Sequence, residues 1–324
     1  MKAVVHYALE PCSVELREIA EPTPRAGEVL VRVRAVGVCG SDLHQYHNTQ
    51  SWQVNVPVVL GHEFAGVIEA VGEGVQGWQV GDRVACETAA VICEQCAYCR
   101  TGRYNLCPQR LGFGYGVNGA MTRYVRAPAR ILHRLPDTLC FEDAAMTEPC
   151  SVAAHAVIEC SQPKPGDLVV VFGSGPIGLL CLQMAKLFSP RKAILVGLSA
   201  DGERLRIAEA VGADAILCAD RDDIEAIVRR EGDGQGAPSN GCCAWATGGV
   251  IPKRWASWSC RTRSAACAHA KTRAGATCRR GRLRGGGVGA CIATQCGRPK
   301  RSGNSARGGN GCRLWCGGVK CTCG

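Results

Sequence analysis

Residues 241–324 contain no Asp or Glu at all, although the same stretch holds 16 Lys and Arg. All 28 carboxylates lie in residues 1–240, beside 22 Lys and Arg. The net charge of +10 is therefore not the property of one basic surface: a slightly acidic body is joined to a cationic tail. That split excludes reading the whole chain as a nucleic-acid-binding face. Long apolar runs are missing too. Nothing approaches the roughly 20 residues a membrane-spanning helix needs. The first residues, Met1-Lys2-Ala3-Val4-Val5-His6-Tyr7, alternate like a strand and lack the apolar core of a signal peptide, so a cytoplasmic location is expected. No internal repeat is present, which excludes solenoids. What remains is a globular chain of 324 residues with 46% hydrophobic content, long enough for two domains.

The body changes texture once. Up to about Cys150 it reads as short strands separated by turn signals. Val29–Val36 alternates apolar and charged residues between Gly27 and Gly37, and Val67–Gly72 forms a second run. This pattern predicts an all-β, barrel-like module. After Pro163-Lys164-Pro165-Gly166-Asp167 the apolar runs become continuous. Strands are predicted at 168–172, 193–196 and 215–218, and helices at 177–188, 203–211 and 224–230. Strand–helix alternation at this spacing is the pattern of a doubly wound parallel sheet.

The most specific motif is Cys93-x2-Cys96-x2-Cys99-x7-Cys107. Four thiolates within 15 residues, in a polar loop, can wrap one Zn²⁺ tetrahedrally and leave no position open for chemistry. Disulfides do not suit a cytosolic chain. The knot is thus expected to be structural.

A second metal set is more dispersed. Cys39-Gly40-Ser41-Asp42-Leu43-His44 follows a predicted strand, and Gly61-His62-Glu63-Phe64-Ala65-Gly66 lies about twenty residues on, in a Gly-flanked turn. One Cys, one His and one carboxylate with a vacant position make a catalytic zinc sphere. Singly these residues mean little; beside the knot they point to a two-zinc design.

Val169-Val170-Val171-Phe172-Gly173-Ser174-Gly175-Pro176-Ile177-Gly178 is a strand, a G-x-G-x-x-G turn and the start of a helix. In that context Gly173, Gly175, Pro176, Ile177 and Gly178 present backbone amides to a pyrophosphate. The usual acidic ribose anchor is absent, since Gly197 stands where it belongs. Asp201 comes four residues late, and Ser199 and Arg204 are suited to a 2′-phosphate. NAD is expected, with NADP open.

These motifs resemble the zinc-containing medium-chain alcohol dehydrogenases. The run Gly61-His62-Glu63-x2-Gly66-x5-Gly72-x2-Val75 is similar to that family's zinc signature, and Cys39 matches the Cys of its Cys-Gly-x-Asp element. Glu148, in Thr147-Glu148-Pro149-Cys150-Ser151-Val152, resembles the Glu-Pro-x-Ser-Val element of the sorbitol (L-iditol) dehydrogenase branch. The resemblance implies Cys39 and His62 as ligands of the catalytic zinc, with Glu63 and Glu148 both eligible as the third. It also implies a proton relay through Ser41 and His44, groups chemically suited to that work. The implied architecture is α/β plus β. A GroES-like β-barrel catalytic domain covers residues 1–155, and a truncated Rossmann sheet covers 156–236. The implied activity is hydride transfer from a secondary alcohol or polyol to NAD(P), with two zinc ions per chain and a homodimer or homotetramer as the assembly. No specific nucleic acid or membrane partner is expected. An L-threonine 3-dehydrogenase-like or general alcohol dehydrogenase, and an inactive zinc-binding pseudoenzyme, are the alternatives.

From residue 237 the design stops. The tail is dominated by Gly, Ala, Arg, Ser, Thr, Cys and Trp, with 11 of the 23 cysteines and no apolar run of strand length. No ordinary folded domain has this composition, and regular structure is not expected there. Two functional readings of the tail are a basic nucleic-acid-binding segment and a metal site at Cys312-x3-Cys316 and Cys321-x-Cys323. Neither carries a known motif. An out-of-frame translation of a GC-rich gene accounts for the composition better.

Overall fold

The computed structural model describes residues 1–233 in full, and the backbone of Cys243–Trp245, Arg313–Cys316 and Val319–Thr322. Two units are distinct, Met1–Gly248 and Gly249–Gly324. In the second, the described strands Arg313–Cys316 and Val319–Thr322 form an antiparallel pair. The expectation of no regular structure after 236 is overturned at these two strands and at Cys243–Trp245 and otherwise falls outside the described residues. So do Cys312, Cys323 and the side chains of Cys316 and Cys321, the cysteines considered for metal.

The first unit begins with antiparallel strands. They are β1 (Lys2–His6), β2 (Val14–Glu18), β3 (Glu28–Gly37), β4 (Val58–Val59), β5 (Glu63–Val71), β6 (Arg83–Cys86), β7 (Tyr124–Pro128) and β8 (Leu132–Arg134). They form a five-stranded sheet, β7-β3-β5-β6-β8, and a three-stranded sheet, β2-β1-β4. Alternating side chains of β3 and β5 bury Val29, Val31, Phe64 and Ile68 against Phe113, Val125 and Ile131. Fully burying each large apolar side chain contributes about 1.5–3 kcal/mol. Phe64 and Phe113 meet edge-on with ring centroids 5.4 Å apart.

Strand β5 begins four residues before the second predicted run, so Glu63 opens a strand instead of lying in a turn. Gly66 misled the sequence reading. It is a close-packing glycine: an added Cβ would collide with the Arg32 carbonyl and come within 2.7 Å of Val31 Cγ1. Four short helices belong to this part: α1 (Gly40–Tyr46), α2 (Ala97–Arg100), α3 (Phe141–Ala145) and α4 (Thr147–Ala154). Helix α1 was not foreseen, because seven residues are too few to show a helical period.

Then follow β9 (Leu168–Phe172), α5 (Pro176–Lys186), β10 (Lys192–Gly197), α6 (Gly202–Ala210), β11 (Ala215–Cys218) and α7 (Ile224–Glu231). All six lie where the alternation placed them, within two residues. Val169, Val171 and Leu195 pack one face against Cys181, Leu182 and Ala185 of α5 and Ala208 of α6. The intervening Val170, Ile194 and Val196 point the other way and are buried as well. Strands covered on both faces explain the continuous apolar runs.

The sheet has a fourth member. Strand β12 (Cys243–Trp245) runs parallel to β9, with Cys243 opposite Val170 and Trp245 opposite Phe172. The order β11-β10-β9-β12 is that of a doubly wound 3-2-1-4 sheet. A sheet truncated at residue 236 would leave this edge of β9 bare, whereas three residues of backbone cover it. No apolar run announces β12, because a parallel ladder is made by main-chain groups that every residue carries.

Candidate metal centres and cofactor site

The four knot cysteines converge. The Sγ atoms of Cys93, Cys96, Cys99 and Cys107 all lie within 4.8 Å of one another. Backbone amides aim at the sulfurs: Cys96 N–H donates to Cys93, Cys99 N–H to Cys96 and Cys93 N–H to Cys107, each at 3.4 Å. The Cys93–Cys99 and Cys96–Cys99 sulfur pairs are 3.9 and 3.5 Å apart. A tetrahedral zinc with Zn–S bonds of about 2.3 Å requires an edge of about 3.8 Å. A disulfide requires about 2.0 Å, and the described cysteines are all free. Amide donors from Cys96 and Gln95 pull the Cys93 thiol down to about 6. Burial, followed by the neighbouring thiols, pushes Cys99 up to about 12. Four thiolates cannot ionise together in this space without a cation, so the donor set fits Zn²⁺.

Outside the knot, Tyr104 Oη donates to both carboxylate oxygens of Glu87, at 3.0 and 2.8 Å. His133 Nε2 lies 2.8 Å from the same group. Glu87 directly follows β6 and Tyr104 sits between Cys99 and Cys107, so this cluster fastens the knot to the barrel. The sequence reading did not find it, since its members lie far apart along the chain.

The second group is Cys39, His62 and Glu63, whose donor atoms also lie within 4.8 Å of one another. Cys39 is the N-cap of α1. Glu63 is the first residue of β5 and pairs across the sheet with Gly37, the last of β3. Only glycine fits there, because an added Cβ would collide with the Glu63 carboxylate. Glu63 is buried, and the His62 side chain is 14% exposed. Burial pushes the Cys39 thiol up to about 11; hydrogen bonds from Ser41 oppose this and the Glu63 charge adds to it. A half-buried thiol and imidazole and a buried carboxylate with their donor atoms within 4.8 Å of one another repel or waste their lone pairs unless a cation sits among them. With three ligands and no fourth among the described residues, the set fits a catalytic zinc with an open position.

Asp42 holds this group together. Its Oδ2 accepts from Cys39 N–H at 2.9 Å, and its Oδ1 accepts from Gly61 N–H at 3.4 Å and lies 3.9 Å from His62 Nδ1. It is 3% exposed. One carboxylate thus ties the Cys39 turn to the His62 turn. The Cys-Gly-x-Asp element held the signal, but the aspartate was assigned no role.

Glu148 stands apart. It lies in the first turn of α4, and its carboxyl is raised by burial, lowered by the His62 charge and raised by that of Glu63. It is near enough to feel both residues yet does not belong to the 4.8 Å group. Ser41 touches Cys39, whereas His44 is exposed and its Nδ1 is 2.9 Å from Thr49 Oγ1. The two proposed relay residues share α1, but His44 is partnered by Thr49 and not by Ser41.

At the nucleotide turn Gly173 has φ +106°, and Gly175 is the N-cap of α5 with Pro176 at its first position. Gly178 is buried in α5, where absence of a side chain permits close packing. The free amides of an 11-residue helix face the turn, which fits a dinucleotide pyrophosphate. Ser199 and Arg204 both lie beyond the end of β10. Ser199 is hydrogen-bonded to Asp220, and Arg204 Nη1 is 3.7 Å from Asp201 Oδ1.

Comparison with known proteins agrees with this geometry. Residues 25–137 match the alcohol dehydrogenase GroES-like domain. The chain is 45% identical over 237 residues to a sorbitol dehydrogenase of Halalkalibacterium halodurans, covering 73% of this chain and 68% of that one. An alcohol dehydrogenase of Escherichia coli CFT073 complexed with NADH superposes with a TM-score of 0.65 at 35% identity, over 72% of this chain and 66% of that one. A putative zinc-binding dehydrogenase of Sinorhizobium meliloti bound to NADP gives 0.67 at 28% identity, over 78% and 80%. The chain spans about two thirds of the length of the sorbitol dehydrogenase it matches. The class is that of zinc-type, NAD(P)-dependent polyol and alcohol dehydrogenases. Within it, the chain belongs to the zinc-containing medium-chain alcohol dehydrogenase family, in its sorbitol dehydrogenase-like branch.

Proposed function

We propose that this chain is a zinc-dependent oxidoreductase that moves a hydride from a secondary alcohol or polyol to NAD(P), giving a ketone or ketose. The observation that carries the reading is the open Cys39–His62–Glu63 group. A closed site would serve structure alone, whereas three ligands leave room for a substrate hydroxyl. Bound zinc supplies Lewis acidity toward that hydroxyl, and bound NAD(P) supplies a hydride acceptor.

The chain's own residues do the rest. Cys39, His62 and Glu63 hold the metal, and Glu148 lies behind them as the alternative carboxylate. Ser41 takes the proton leaving the hydroxyl. His44, exposed on the same short helix and oriented by Thr49, is the outer member of the relay, reached from Ser41 through water because the two side chains do not touch. Gly173, Gly175, Pro176, Ile177 and Gly178 receive the pyrophosphate, with Ser199 and Arg204 at the adenosine end. Cys93, Cys96, Cys99 and Cys107 hold the structural zinc. In this reading residues 1–155 are the catalytic domain, 156–236 the first part of the nucleotide domain and 237–324 an aberrant tail, of which only Cys243–Trp245 among the described residues joins the nucleotide sheet. The setting is the cytoplasm and the assembly a homo-oligomer of the family type.

A panel of polyols, simple alcohols and threonine with NAD and NADP tests the proposal when read with metal content. Two zinc ions per chain with polyol-dependent formation of reduced nicotinamide supports it. Zinc without nucleotide binding favours the pseudoenzyme instead, a reading supported by the break at residue 237. Re-reading the coding DNA tests the origin of that break: a neighbouring frame after Gly236 should restore an apolar strand–helix pattern.

A further inference from the structure

The end of β10 is unlike the usual dinucleotide site in one respect. Gly197 occupies the position of the acidic ribose anchor, and the space beyond it is filled. A Cβ there would lie 2.7 Å from Leu205 Cδ2 and 3.3 Å from Ser174 Oγ. The carboxylate arrives from further along the chain. Asp201 Oδ2 accepts from the Ser174 hydroxyl, Oγ, at 2.7 Å and from Leu198 N–H at 3.0 Å. Ser174 is the buried second residue of the G-x-G-x-x-G turn, so Asp201 is locked to the pyrophosphate loop itself. Its Oδ1 has only the 3.7 Å approach of Arg204. In the loop after β11, Asp220 receives Ser199 N–H at 2.9 Å and, through its other oxygen, the Ser199 hydroxyl. Those two donors hold the Asp220 carboxyl below its ordinary range, so it carries its charge.

Both residues suited to a 2′-phosphate are therefore already engaged by carboxylates, Ser199 by Asp220 and Arg204 by Asp201. We infer that Asp201, seconded by Asp220, replaces the missing strand-end acid and makes this site select NAD(H) against NADP(H). Oδ1 of Asp201 accepts a ribose hydroxyl, while a dianionic 2′-phosphate in the same place meets two negative groups and only the distal charge of Arg204. This inference rests on the dinucleotide-binding reading proposed above, and the probes separate the two.

Binding of ADP-ribose and 2′-phospho-ADP-ribose to the full chain, measured by titration calorimetry, needs only the described half of the nucleotide domain. ADP-ribose is expected to bind at least about 100-fold tighter than its 2′-phospho form. Asp201→Asn, which keeps the bond from Ser174 and removes the charge, should reduce that ratio to about tenfold or less. Asp220→Asn should reduce it by a smaller factor, and Arg204→Ala should leave it in place. Equal or tighter binding of the 2′-phospho form, or an unchanged ratio in Asp201→Asn, overturns the inference and leaves the dehydrogenase reading standing. Binding of neither probe by a chain that holds its two zinc ions overturns both.

Discussion

The two metal centres are built in opposite ways. The knot is local: four cysteines within 15 residues, their sulfurs capped by amides of the same loop. The open group is assembled from the cap of α1, a turn and the first residue of β5, with Gly37 on β3 making room and Asp42 fastening the pieces. A local site depends mainly on its own spacing. A dispersed site exists only when the barrel around it has folded.

The largest difference should appear when one ligand is removed from each. Cys39→Ser is expected to abolish activity, by about 10⁴-fold or more in kcat/KM, since the group that polarises the hydroxyl is lost. The same variant should keep its thermal transition within a few degrees of wild type. Cys96→Ser should do the reverse in kind, lowering the transition sharply and taking activity down with it, because a structural zinc contributes to folding directly. Steady-state rates and calorimetric melting on both variants check this contrast. Equal loss of stability in the two would break it.

A smaller effect tests the fastening. Asp42→Ala should weaken zinc at the open group by about 10–100-fold, the range for outer partners of metal ligands, and leave the knot's zinc untouched. Competition with a chelator, followed by metal release, distinguishes the two ions. The smallest effect concerns the knot's attachment. Glu87→Gln should cost about 1–2 kcal/mol of stability in denaturant unfolding, from weakened charged hydrogen bonds to Tyr104 and His133. It should leave zinc content at two.

The same distinction explains how much was legible beforehand. The knot, the G-x-G-x-x-G turn and every strand and helix from 168 to 231 follow from short-range spacing or from one continuous apolar run. Cys39, His62 and Glu63 were legible as members of one metal set from their motifs, but which carboxylate joins the thiol and imidazole was not, because no periodicity links α1, β5 and α4. Asp42, the Glu87–Tyr104–His133 cluster and the Ser174–Asp201 bond escaped for that reason. Each joins side chains that tertiary packing alone brings together. Gly66 reads as a turn and serves as a close-packing position. Strand β12 lay beyond reach for a different cause, since its pairing with β9 is made by main chain and nothing in its side-chain types demands it.

Zinc stoichiometry is the most direct measurement of the central claim, that one chain carries a closed and an open zinc centre independently. The account predicts two zinc ions in the wild-type chain, one in His62→Ala with the knot intact, and one in Cys99→Ser for whatever fraction remains folded. A wild-type chain with a single zinc that is lost on changing Cys99 and unaffected by changing His62 would contradict it.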